Sequence, residues 1–252
     1  MKVLYSYIPA SSSDSSVMIT GTTAMSGFPL TNLKYIQPVK SYKTNNTITE
    51  AEIIYDFGSD KTYNSFFINR FNFAAMTLKY KATADPDYST VEAITGLTKD
   101  EIADENYMHR WIDLTGKTYR YLKLIIPAQT PLFEATYFKV GNILVGNYVE
   151  ISSPKSGYKV SVLPKMSILE FESGYISTYK KGRSRRSFSG SFDKLSTTEY
   201  NKISQTYSPF VIYQDFENDK TKCYLVRAVK EYERTYQMAD LIDCNFELEE
   251  VV

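Results

Sequence analysis

Tyr119-Arg120-Tyr121-Leu122-Lys123-Leu124-Ile125-Ile126 is the strongest strand signal in the chain. Aromatic and branched aliphatic residues favour a pleated, half-buried surface, and Pro127 stops the run. The same grammar extends to both sides. Met76-Thr77-Leu78-Lys79-Tyr80-Lys81-Ala82 alternates with period two, as a strand with one buried face does. Upstream lie Val17–Thr20, Glu52–Phe57 closed by Gly58, and Asn64–Phe71; downstream lie Arg110–Leu114 and a segment from Tyr137 to Val145. Asp85-Pro86-Asp87 and Thr115-Gly116 punctuate turns. Strands at this spacing, with no long helix between them, predict an antiparallel β-sandwich.

Composition agrees. Of 252 residues, 22 are Tyr and 14 Phe, residues that favour strands and interfaces. Hydrophobic residues make up 43% and charged residues 23%, which places the chain in the globular range. The 29 basic and 29 acidic residues cancel, which argues against nucleic acid as a partner. A single His, His109, excludes a zinc site built from several histidines. Cys223 and Cys244 form no CxxC motif and read as buried thiols, with a disulfide as the alternative. No run is long and apolar enough to span a bilayer, and no signal-peptide core precedes Pro9. Synthesis in a cytosol and no membrane insertion are the expectation.

The character changes at Ser152-Ser153-Pro154-Lys155-Ser156-Gly157, so a boundary is expected near 147–157, dividing 1–148 from 149–252. The second part offers strands at 159–163, 168–172, 176–180, 187–192, 210–213, 223–230 and 242–248. One helix is expected near 196–207: Ser196 and Glu199 make a capping box, Leu195 and Tyr200 a hydrophobic staple, and Tyr200, Ile203 and Tyr207 share a face.

Five motifs in order resemble the discoidin family of galactose-binding-like sandwiches. They are Ile54-Tyr55-Asp56-Phe57-Gly58, Phe66-Phe67-Ile68, Leu78-Lys79-Tyr80-Lys81-Ala82, Arg120-Tyr121-Leu122-Lys123-Leu124 and Gly141-Asn142-Ile143-Leu144-Val145-Gly146. The chain departs from the family in lacking a cysteine pair that joins the domain ends, and in carrying Ile53 or Ile54 where the family has Trp. The later part, from Ser173-Gly174-Tyr175 through Arg183–Phe192 to Asn245-Phe246-Glu247-Leu248-Glu249, resembles the minor and distal tail proteins of long-tailed bacteriophages, which are built on a tail-tube fold. Together the resemblances imply a non-enzymatic component of a virion tail or tail tip, assembled in the host cytoplasm. Its partners would be other tail proteins, copies of itself in a ring, and a host-surface glycan. The alternative is a free-standing, lectin-like carbohydrate-binding protein.

Site expectations follow. The discoidin resemblance places a ligand on loops at one end of the sandwich. A sugar needs an aromatic platform beside hydrogen-bonding groups, and Tyr42, Asn45, Asn46, Phe73, Tyr107, His109 and Arg110 supply both. No cofactor is expected. Asp60, Asp85 and Asp87 are oxygen donors that a structural calcium would use, but they form no loop signature and the metal stays unassigned. Asp56, Asp113 and Glu134 are the carboxylates a glycoside hydrolase would need; Asp56 and Asp113 at strand ends read instead as binders of turn amides. Lys180, Lys181, Arg183, Arg185 and Arg186 concentrate positive charge. Three readings stand: a solvated hairpin tip, a nucleic-acid patch, and a subunit interface against the acidic Glu247, Glu249 and Glu250 of a neighbouring copy.

Overall fold

In the computed structural model, residues 1–8, 16–36, 40–45, 49–97, 108–133, 135–151, 154, 158–163, 166–170, 176–180, 185–204, 209–214, 219–229, 232–238 and 240–251 are described. The first part holds β1 (Lys2–Ile8), β2 (Met18–Gly21), β3 (Tyr42–Lys43), β4 (Ala51–Lys61), β5 (Ser65–Phe71), β6 (Met76–Lys81), β7 (Ser89–Ile94), β8 (Met108–Asp113), β9 (Tyr119–Ile126), β10 (Lys139–Val140) and β11 (Asn142–Glu150). The second part holds β12 (Lys159–Leu163), β13 (Met166–Glu170), β14 (Ile176–Lys180), β15 (Arg185–Ser196), α1 (Thr197–Ser204), β16 (Phe210–Tyr213), β17 (Cys223–Ala228), β18 (Glu233–Met238) and β19 (Leu241–Glu250). The protein is mainly β, as expected. Among the described residues no helix is long and apolar enough to cross a membrane.

One layer of the sandwich is a five-stranded sheet in the order β2-β4-β9-β6-β7. Its registers set Ile53 against Leu124, Tyr55 against Leu122, and Leu78 against Leu124, so one face is apolar and buried. Glu52, Lys79 and Lys123 alternate onto the other face, as period two requires. The facing layer is formed by β1, β11, β5 and β8, all antiparallel. From it Phe66, Ile68, Ile112, Ile143 and Val145 close the core.

The two parts of the chain are joined by a shared strand. β1 pairs with β11 on one side and with β16 on the other, with Lys2 opposite both Glu150 and Tyr213. The sheet therefore continues as β12-β15-β19-β17-β16-β1-β11-β5-β8, with β18 also on β19. The boundary expected after residue 148 falls inside β11. The Met1 ammonium donates to the Ile151 carbonyl at 2.9 Å, and the Ile151 N–H donates back to the Met1 carbonyl at 2.9 Å. β1 thus pairs with strands on both sides of the expected boundary, through Lys2–Ile8 to β11 and through Lys2, Val3 and Leu4 to β16. Gly146 permits this junction, because a Cβ there would lie 1.9 Å from the Ser6 carbonyl oxygen.

The long sheet buries both faces near this junction. Phe67, Trp111, Leu144 and Leu4 turn away from the sandwich core and meet Val211, Tyr213, Cys223 and Leu225. Trp111 stacks on Tyr213 with ring centroids 5.4 Å apart. The Trp111 backbone N–H donates to the Lys220 carbonyl at 3.0 Å, which brings β8 toward β17. Glu92 on β7 joins in, accepting from Arg110 at 2.6 Å and Lys220 at 2.9 Å.

The second core contains Phe188, Phe192, Leu195, Tyr200, Ile203 and Phe246, with Met1 and Val3 from β1. The capping box is formed: the Glu199 N–H donates to Ser196 Oγ at 3.2 Å, and the Ser196 N–H donates to the Glu199 carboxylate at 2.8 Å. Leu195 and Tyr200 are both buried there, which is the staple. Tyr207 and the expected helix end lie outside the described residues.

Candidate functional site

Hydrogen bonds bring residues 28–36, 40–45, 70–75, 127–133 and 135–141 together at one end of the sandwich. There a buried polar run, Asn69-Arg70-Phe71-Asn72, ties the loops together. Arg70 is a non-glycine residue in the left-handed region, with φ 53°. Such a conformation costs about 1–3 kcal/mol and persists only where surroundings hold it. Its guanidinium donates to Asn142 Oδ1 at 3.1 Å and to the Lys40 carbonyl at 3.3 Å. It also lies over Gly141, where a Cβ would come within 2.6 Å of Arg70 Nε. Asn142 in turn donates its side-chain amide to the Tyr35 carbonyl and its backbone N–H to Asn69 Oδ1 at 3.0 Å. Asn72 donates to the Tyr137 carbonyl at 2.9 Å and accepts the Lys139 N–H at 2.7 Å. Gln129 accepts the N–H groups of Ala74 and Ala75. The loops here are fixed by side-chain hydrogen bonds as well as by ladders.

This frame presents three half-buried aromatic rings, Phe28, Tyr35 and Tyr137. Lys43 Nζ lies 3.8 Å from the Phe28 centroid and 4.6 Å from that of Tyr137. Lys40 Nζ lies 5.1 Å from the Tyr35 centroid. Asn45 is exposed two residues beyond Lys43. β3 and β10 carry Lys43 and Lys139 in direct register, so their side chains leave the same face.

No protein-family model matches the chain. No curated protein matches it. Solved structures do. CpGH89CBM32-4, produced by Clostridium perfringens and solved in complex with glcNAc-alpha-1,4-galactose, is 15% identical over 52% of this chain and 89% of its own, with a TM-score of 0.42. Chitosan-binding module 1 from the chitosanase/glucanase of Paenibacillus sp. IK-5 is 14% identical over 52% of this chain and 94% of its own, with a TM-score of 0.41. The Ruminococcus gnavus GH29 fucosidase E1_10125 in complex with fucose is 12% identical over 55% of this chain and 26% of its own, with a TM-score of 0.45.

The expected ligand residues divide. Asn45 lies at the loop end and is exposed; Asn46 and Tyr107 lie outside the described residues. Tyr42 is a core residue, fully buried, with its hydroxyl donating to the Thr22 carbonyl at 2.8 Å. Burial pushes its phenol up to about 12. Phe73 is equally buried, in a cluster with Phe71 and Phe138. Neither ring is a surface platform, because the hydrophobic gain of burying it outweighs any loop assignment. His109 and Arg110 belong to β8, not to a loop. Arg110 pairs with Glu92, and His109 is buried, with Nε2 3.9 Å from Glu250. Phe28, Tyr35, Lys40, Lys43 and Tyr137 stand at this end and were not among the expected ligand residues.

The cation run meets the acidic chain end inside one molecule. Arg186 and Glu250 are both buried, and Arg186 Nη1 reaches the two carboxylate oxygens at 3.1 and 3.0 Å. The Arg186 guanidinium lies 4.7 Å from the Tyr224 ring centroid. Arg185 and Arg227 both pair with Glu249, at 2.5 and 3.0 Å. β15 and β19 are neighbours, so Arg185 and Arg186 meet carboxylates within the chain. Lys180 ends β14, while Lys181 and Arg183 lie outside the described residues.

Asp113 ends β8 as expected, whereas Asp56 lies within β4, and each accepts the backbone N–H two residues on. Asp56 accepts the Gly58 N–H at 2.8 Å and both Nε and Nη2 of Arg120, whose guanidinium holds its carboxyl below the ordinary range. Asp113 accepts the Thr115 N–H at 2.8 Å and Lys2 Nζ at 3.2 Å. Asp60 and Asp85 accept backbone N–H groups of Thr83 and Ala82. Glu134 lies outside the described residues. Among the described residues no group of three or more His, Cys, Asp or Glu is arranged to hold a metal.

Proposed function

We propose that this protein is a non-enzymatic saccharide-binding protein whose site is the loop end of the sandwich. The observation that carries the reading is the set of three half-buried rings, Phe28, Tyr35 and Tyr137, held on a frame pinned by Arg70, Asn72 and Asn142. A pyranose has an apolar face and a polar rim. Rings that keep part of their surface exposed meet the first, and Lys40, Lys43 and Asn45 meet the second. Pre-formed loops reduce the ordering cost of binding. Titration of the full chain with a saccharide panel tests the reading. Binding should be detectable, and Tyr137→Ala should weaken it roughly fivefold or more, since an aromatic anchor contributes over about 1 kcal/mol. A panel without a binder, or a Tyr137→Ala variant that binds equally, overturns it.

A second reading, a tail component that works as an assembly, is favoured by one observation. β12 is an edge strand whose Val160 and Val162 are 47% and 39% exposed. Unpaired edges with apolar residues are templates for pairing with another chain. Light scattering on the purified protein tests it: a defined oligomer that Val160→Lys dissolves supports assembly, and a monomer at all concentrations removes the support.

A further inference from the structure

The charges at the loop end point to the kind of saccharide; this step rests on the saccharide reading above. Several cations of the same sandwich are matched by carboxylates: Lys2 by Asp113, Lys123 by Glu52, Arg110 by Glu92 and Arg120 by Asp56. Lys40 and Lys43, like Lys81 and Lys117, lie over rings instead, and at the loop end two such ammonium groups stand beside three half-buried rings. The Lys40 and Lys43 ammonium groups rest on Tyr35, Phe28 and Tyr137, and among the described residues no carboxylate lies within ion-pair distance of either. Both side chains are half-buried, so part of their hydration is already given up. An ammonium over a ring face is oriented by the ring quadrupole but keeps its full charge. The frame fixes where these charges sit, since Arg70 holds the Lys40 carbonyl and Asn72 holds the Lys139 N–H. An anion arriving here finds two positioned donors.

We propose that the loop end takes a saccharide bearing an anionic substituent, a carboxylate or a sulfate ester, with Lys40 and Lys43 supplying its counter-charge. The rings take the sugar face and the ammonium groups take the acid. Hydrogen bonds to charged groups are stronger than neutral ones, which sets the size of the preference.

The test is calorimetric titration of the full chain with three probes: a neutral galactan oligosaccharide, the matching oligogalacturonide, and a sulfated galactan oligosaccharide. Each is run at low and high salt. The acidic probes should bind roughly tenfold or more tighter than the neutral one, and the difference should shrink as salt screens it. Lys40→Gln and Lys43→Gln should each weaken binding of the acidic probes several-fold more than binding of the neutral oligosaccharide, which reduces the preference. Lys43→Arg should restore part of it, and Lys79→Gln, on the outer face of the five-stranded sheet, should change nothing. The two acidic probes separate carboxylate from sulfate as the substituent. Equal, salt-insensitive binding of neutral and acidic probes overturns the inference and leaves the saccharide reading standing. Failure of all three probes to bind overturns both. Because the salt dependence is read on the unaltered protein, the inference remains testable even if a lysine variant folds poorly.

Discussion

Replacing Glu250 by glutamine keeps the shape of the side chain and removes its charge. In the folded protein Glu250 accepts the Arg186 backbone N–H at 3.1 Å and two contacts from Nη1, and each partner's side chain is only 2% exposed. The variant removes the Glu250 carboxylate from the buried Arg186 beside Tyr224. Removing one member of a buried pair costs about 3–5 kcal/mol, because the remaining charge stays desolvated. For a chain of this size each kcal/mol moves the unfolding midpoint by about 2–4 °C, so a drop on the order of 10 °C is expected. The double variant Arg186→Met/Glu250→Leu replaces both charges with apolar groups and should recover most of the loss. Thermal unfolding followed by circular dichroism, run as a double-mutant cycle, measures both. A single variant that loses less than about 1 kcal/mol, or a double variant less stable than either single, refutes the reasoning.

Three further outcomes follow from the same structure. Trp111 is the single Trp and is 1% exposed in the native protein; residues 1–148 alone would uncover it with Leu4, Phe67 and Leu144, so the fragment should show red-shifted emission and bind apolar dyes, and a native-like spectrum would show that the junction is dispensable. Cys223 and Cys244 are free and buried, and burial pushes the Cys244 thiol up to about 11 and Cys223 upward as well. A colorimetric thiol assay near neutral pH should find almost no reactive thiol until denaturant is added, whereas rapid modification of either would contradict the packing. Asp56 titrates below its unfolded value because of Arg120, so its stabilisation is present above about pH 4 and is lost as pH falls through the lower folded value. Asp56→Asn should flatten the acid limb of a midpoint-against-pH curve; an unchanged limb would mean the ion pair contributes nothing in solution.

The sheets were largely legible because their strands announce themselves locally. Tyr119–Ile126 and Lys159–Leu163 were bounded correctly by a proline and by polar turns. The helix start was legible because Ser196 and Glu199 encode a contact three residues apart. β1 was not, since Lys2-Val3-Leu4-Tyr5-Ser6-Tyr7-Ile8 shows no clean alternation. It needs none: both faces are covered, Val3 by the second core and Leu4 by the junction. Its role is defined by partners 145–150 and 211–213, which no local window contains. The candidate site was legible only as an end of the sandwich. Tyr42 and Phe73 look like surface aromatics because loops surround them in sequence, but the chain folds both inward. Tyr137 reaches Lys43 across ninety-odd residues, through the β3–β10 ladder.

The location of saccharide binding tests the central claim most directly. Amide and aromatic resonances of the full chain should be followed by NMR while an oligosaccharide is added, using neutral and acidic probes in turn. The account predicts shifts confined to Phe28, Tyr35, Lys40, Lys43, Asn45 and Tyr137, and their loss in Tyr137→Ala. Shifts centred on the outer face of the five-stranded sheet around Lys79 and Tyr121, or no shifts with any probe, would contradict it.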